Sequence, residues 1–175
     1  MSELATESAS TVRGVSVTRD PFRMTAFIPE DTVSLADDGG GADWTGVWTA
    51  PVAGRNAIVL VSIAVTAFDP PPAGAAGEVL TARLRARHPE GGMLIEEFAA
   101  HDGNPALAMR QTVTQRVNGR DVTTGQAQAL VIYAKARALG VVTGVATHPA
   151  DLDRAAALVT GIAERMTVTA ASAAA

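Results

Sequence analysis

Cysteine is absent from all 175 residues. That excludes disulfides, thiolate metal ligands and a cysteine nucleophile, and leaves the redox compartment open. Aromatic residues make up only 4% of the chain, so Val, Leu, Ile and Ala must fill any core. Positive charge is not in excess either. With a net charge of −4 the chain offers no basic stripe for a phosphate backbone, and no nucleic-acid partner is expected. Long apolar runs are lacking too: the longest, Ala57 to Ala67, has about half the length of a membrane-spanning helix. Residues 1–10 carry neither the basic nor the apolar region of a secretory leader, so a cytoplasmic protein with no membrane span is expected.

The signatures of chemistry are equally sparse. The chain has no Gly-x-Ser-x-Gly, no Gly-Lys-Ser/Thr phosphate cradle and no Gly-x-Gly-x-x-Gly following a strand. Gly39-Gly-Gly41 lies between acidic residues that would repel a phosphate, and reads as a loop tip. His88, His101 and His148 stand far apart, none at metal-ligand spacing, so neither a metal nor a cofactor is expected. His148, just before Pro149, suits a helix-start cap, and His101-Asp102 suits a solvated hairpin loop. Glu96 and Glu97 are adjacent in an alternating run, so each faces a different side of a strand.

What is present reads as one globular domain. The 47% apolar and 18% charged fractions are those of a soluble protein. The domain is expected over residues 14–168, with a disordered tail at 1–13 and a flexible one at 169–175. Its organising stretch runs from Gly125 to Met166. There Gly125–Lys135 and Leu139–Ala146 read as an antiparallel pair. Leu152, Ala155, Ala156, Val159, Ile162, Ala163 and Met166 then recur at helical spacing after Pro149. Earlier, Gly14–Thr18, Phe22–Ile28, Thr32–Leu35 and Trp44–Trp48 read as strands. Ala57–Thr66 is the strongest, apolar on both faces and so expected mid-sheet with both sides at least partly covered. After Asp69-Pro-Pro-Pro72, a helix over Ala75–Arg87 turns Val79, Leu80 and Leu84 inward and Arg83, Arg85 and Arg87 outward. It ends at His88-Pro89. Met93–Phe98 and Ala106–Val117 form a hairpin around Asp102–Pro105, and Asn118-Gly119 turns the chain back again.

Strands in hairpins with only two helices make the class α+β: roughly six to eight strands in a mostly antiparallel sheet, with helices at about 75–87 and 150–167. This order, closed by Gly140-Val-Val-Thr-Gly-Val-Ala-Thr-His-Pro-Ala-Asp-Leu152, resembles the Mog/PsbP-like fold. Within that group it looks most like the bacterial LpqN/DcrB-type proteins, over roughly residues 22–168, by pattern of elements. The resemblance implies an α/β/α sandwich and a non-enzymatic role as accessory subunit, secretion chaperone or adaptor. Unlike the lipoprotein members, the chain has no lipidation cysteine.

Two groups of residues are candidates for contact with a protein partner. Trp44 and Trp48 share a face of one strand, either as buried packing or as an aromatic anchor. Gln111 and Gln115 alternate along a strand, and Gln126 and Gln128 begin the next. If those strands pair across Asn118-Gly119, the amides form a semi-polar patch; otherwise they are ordinary surface glutamines. Arg83, Arg85, Arg87, Arg110 and Arg116 make either a solvated face or a site for an acidic partner. The function expected is therefore a non-catalytic protein-binding module, adaptor, chaperone or accessory component. The alternative is a small-molecule or enzymatic domain with a pocket between helix and sheet, using Tyr133, Arg110, His101 and Asp102. A homo-oligomer is compatible with the long strands and the Ala/Val content.

Overall fold

The structure, a computed structural model, describes residues 11–36, 40–89 and 91–170. Residues 1–10 and 171–175 of the expected tails, and positions 37–39 of the acidic glycine loop, lie outside them, whereas Val12, Arg13, Thr169 and Ala170, also assigned to those tails, belong to strands. Strands are β1 (Val12–Arg19), β2 (Phe22–Pro29), β3 (Val33–Ser34), β4 (Trp44–Val52), β5 (Arg55–Ala67), β6 (Leu94–Ala99), β7 (Pro105–Val117), β8 (Arg120–Tyr133), β9 (Ala138–Ala146) and β10 (Thr167–Ala170). Helix α1 spans Ala76–Arg87 and α2 spans Leu152–Arg165.

The strands form two antiparallel sheets, not one. The larger has the order β3-β4-β5-β9-β8-β7-β6 and the smaller β1-β2-β10. Among the described residues there are ten strands against the six to eight expected; one that the sequence did not announce is β10, which follows α2 directly and is only four residues long, too short to register as a periodic run. Its pairing with β2 places Val168 opposite Met24. β1 likewise starts at Val12, two residues before the expected first strand.

Helix α2 lies on one side of the large sheet, and what allows it there is the smallness of the sheet beneath. A Cβ on Gly144 would come within 2.7 Å of Val159 Cγ2, and one on Gly140 within 2.5 Å of Met166 Cε. One on Gly125 would sit 3.1 Å from the Leu152 backbone. Between these glycines, Ala127, Ala129 and Ala146 complete a low floor. Ala155, Val159, Ile162, Ala163 and Met166 of the helix side are all buried on it. His148 opens the helical segment as anticipated: its Nδ1 accepts from the Ala150 N–H at 3.1 Å, with Pro149 next in a single 3₁₀ turn. The small sheet shares this layer. Phe22, Met24, Ala26 and Ile28 of β2 join Val59, Val61, Ile63 and Val65 of β5 in one core.

Opposite, α1 buries Leu80 and Leu84 against Leu107, Met109, Leu130, Ile132 and Leu139. Each such leucine contributes roughly 1.5–3 kcal/mol by leaving water. Arg83 lies over the Phe68 ring, 5.8 Å from its centroid, and Arg85 and Arg87 favour the negative helix end. The layers are therefore α1, the large sheet, and a third layer divided between α2 and the small sheet. Asn118 and Gly119 take positive φ in the two-residue β7–β8 turn, as the sequence requires.

Gly144→Ala should destabilise the fold by about 1–3 kcal/mol through overpacking under Val159. Gly161→Ala, where a Cβ meets nothing within 4 Å on α2, should stabilise it by about 0.5–1 kcal/mol. Urea unfolding of both variants would check the opposite signs.

Candidate functional site

Gln111, Gln126 and Gln128 meet as a sheet patch, and Gln115 lies four residues further along β7. β7 and β8 pair so that Gln111 stands directly opposite Gln126, Gln128 opposite Met109, and Gln115 opposite Val122. All four amides lie on the α1 side of the large sheet, beyond the helix. Gln111 and Gln128 are buried, and Gln115 is exposed. Gln111 Nε2 is 3.0 Å from His88 Nδ1, and Gln128 Nε2 donates to Thr143 Oγ1 at 3.0 Å. The buried Gln128 Oε1 has no partner among the described residues.

The register extends this patch into an apolar surface that sequence reasoning missed. Val33, Val47, Leu60, Val145, Gln126 and Gln111 are successive cross-strand neighbours from β3 to β7. Beside them runs a second row, Thr45, Ser62, Thr143 and Gln128. Helix α1 covers only the other half of this face. Val33 is 65% exposed, Leu60 45% and Ile58 37%. Of the two sides of β5, both expected to be at least partly covered, the α2 side is closed over Ala57, Val59, Val61, Ile63 and Val65, while on the α1 side Ser62 and Ala64 are half-buried and Ile58 and Leu60 exposed. Its even-numbered residues face outward, and two consecutive large apolar ones remain in solvent. The double-sided apolar pattern of Ala57–Thr66 contained that signal. It was ambiguous, because a buried face and a solvent-exposed apolar face have the same composition.

Trp44 and Trp48 are on the reverse side. They pair opposite Ile63 and Val59, face the α2 layer and stand half-buried against its core. They do not belong to the glutamine patch. The Trp44 ring lies along its own strand over Gly46, where a Cβ would come within 2.7 Å of Cζ2, and its Nε1 donates to Ser34 Oγ at 3.3 Å.

Two carboxylates fasten the layers. Asp151, fully buried, receives both guanidinium nitrogens of Arg55 at 2.5 and 3.0 Å, tying the β4–β5 hairpin to the start of α2. The hydrogen bond from Arg55 holds this carboxyl below the ordinary aspartate range, aided by the charges of Arg55, Arg154 and His148. Asp43 accepts from Arg19 of the small sheet at 2.8 Å and from the Val65 N–H at 2.6 Å.

The groups of the alternative pocket are not brought together. The buried Tyr133 hydroxyl donates to the Met166 carbonyl at 3.0 Å, and burial raises its pKa. Arg110 pairs with Asp153 at 2.7 Å, while His101 and Asp102 lie exposed in the β6–β7 loop. Among the described residues, no three His, Asp or Glu side chains gather as metal ligands, and no helix is long and apolar enough to cross a membrane.

Because its folded pKa is depressed, Asp151 contributes stability that is present above its unfolded pKa and is lost as the pH falls through the folded value. Asp151→Asn should therefore lower Tm at pH 7, with the gap to wild type closing below about pH 4 in thermal scans across pH. Gly46→Ala should push the Trp44 ring off the strand, giving red-shifted tryptophan emission at little cost in helix content by circular dichroism.

No protein family profile and no curated protein matches the sequence. Among solved structures, the chain is similar to a crystal structure of LpqN from Mycobacterium tuberculosis, described as involved in cell envelope biogenesis. The TM-score is 0.55 at 16% identity, over 90% of this chain and 91% of that one. What this likeness shows is the architecture: an LpqN-like α+β fold.

Proposed function

We propose that the protein is a non-catalytic, protein-binding accessory component of a bacterial cell-envelope or secretion system, acting as adaptor or chaperone. The observation that carries this reading is the open half of the large sheet. Val33, Val47, Ile58, Leu60 and Val145 form one apolar surface there, edged by Gln111, Gln126 and Gln128. A contiguous exposed apolar patch with a polar border is the usual form of a protein contact site. Glutamine amides donate and accept, so they suit a partner's backbone or side chains without demanding a charge. The involvement of the LpqN neighbour in cell envelope biogenesis supports the choice of system. Trp44 and Trp48, on the opposite side, serve the core in this reading.

The cytoplasm is the proposed site of action, and fractionation of cells making the tagged chain tests it against the envelope. The binding surface is tested by native affinity capture from the source organism with a light-scattering mass on the pure chain. Val33→Lys with Leu60→Lys should leave Tm unchanged, since both side chains are already exposed, and should weaken partner capture about ten-fold or more. Equal capture by wild type and variant would remove this face from the proposal.

A further inference from the structure

Among the described residues the large sheet ends at β6, which has no neighbour on its outer side. Among the described residues, its ladder to β7 supplies the only backbone–backbone hydrogen bonds of Leu94–Ala99. Alternate residues of an edge strand turn their N–H and C=O groups away from the sheet, where only another extended chain satisfies them in register. Hollows flank this edge on both sides. Toward α1, a cleft of about 310 Å³ lies beside Met93 and Ile95 and is bordered by Arg85 and His88. Another of about 280 Å³ lies beside Glu97 and is bordered by Gly77 and Leu80. Toward α2, a smaller cavity of about 40 Å³ opens beside Leu94 and Glu96, over Ala108, Ala127 and Ala156. Leu94 itself is 60% exposed.

From this we infer that β6 is a receiving edge for an extended segment of a partner protein, which adds as an eighth strand. Its side chains would alternate into the clefts on the two sides. The charge of the edge specifies the segment. Glu96 and Glu97 occupy the middle of the strand, both exposed, one on each face. A second copy of β6 is disfavoured, because antiparallel self-pairing centred on the strand sets glutamate against glutamate. An incoming strand with two adjacent basic residues at its centre and apolar residues on either side answers both the charge and the hollows. This surface is separate from the open sheet face, and the inference stands whether or not that face is occupied.

The test uses the full chain, ¹⁵N-labelled, and three short blocked peptides. The first alternates Val and Thr around a central Lys-Lys, the second has Glu-Glu in that place, and the third is the Lys-Lys peptide N-methylated at alternate residues. The Lys-Lys peptide should shift the amides of Leu94–Ala99 and bind about ten-fold more tightly than either of the others. In E96K/E97K the preference should invert toward the Glu-Glu peptide. Shifts centred elsewhere, no binding up to the solubility limit, equal binding of the N-methylated peptide, or an unchanged preference in E96K/E97K would each overturn the inference. A light-scattering dimer whose interface maps to β6 would also do so, by making a second copy the occupant.

Discussion

The close approach of α2 to the large sheet is the constraint on which the other layers depend. At Gly125, Gly140 and Gly144 the missing side chains are the space into which Leu152, Met166 and Val159 fit. Were the helix held further out, Met166 and Tyr133 could not share a hydrogen bond, and the chain leaving α2 would not reach β2 to form β10. The Arg55–Asp151 pair acts at the other end of the same helix. A fully buried carboxylate is costly to leave alone, so the pair specifies where the helix begins as much as it stabilises it.

The two faces of the large sheet are finished to different degrees. On the α2 side, helix and small sheet together cover β4, β5, β9 and β8, and half-buried tryptophans close the margin. On the α1 side, a helix of twelve residues covers one half and then stops at His88-Pro89. Nothing in the described chain returns to cover β3, β4 and the outer face of β5. That asymmetry is what gives the protein a surface with the composition of an interior.

Much of the architecture was legible because it rests on local chemistry. Asn118-Gly119 fixed a hairpin register, Pro149 and His148 a helix start, and the alternation in Met109–Val117 a strand face. The glutamine patch followed from the same turn, since pairing across it brings Gln111 to Gln126. What could not be read was non-local. That Leu60 falls between Val47 and Val145 depends on β5 pairing with β9, which the intervening helix and hairpins do not encode. The separation of Trp44 and Trp48 from the glutamines depends on the same crossing, as does the division into two sheets. Four residues, Thr167–Ala170, are too few to announce the strand that completes the smaller one.

The pairing of β5 with β9 also bears on how the chain is made. During synthesis β5 emerges with β4 as its only sequence-adjacent neighbour, and its second partner does not exist until the ribosome has passed Ala146. Through that interval Val59, Val61 and Ile63 lack their final cover while Ile58 and Leu60 are bare on the other side. Closing so distant a pairing is slow compared with local hairpin formation. The nascent chain thus carries a long apolar strand, exposed on both faces, as its most adhesive element, and a protein that shields such strands would meet it before the sheet is complete.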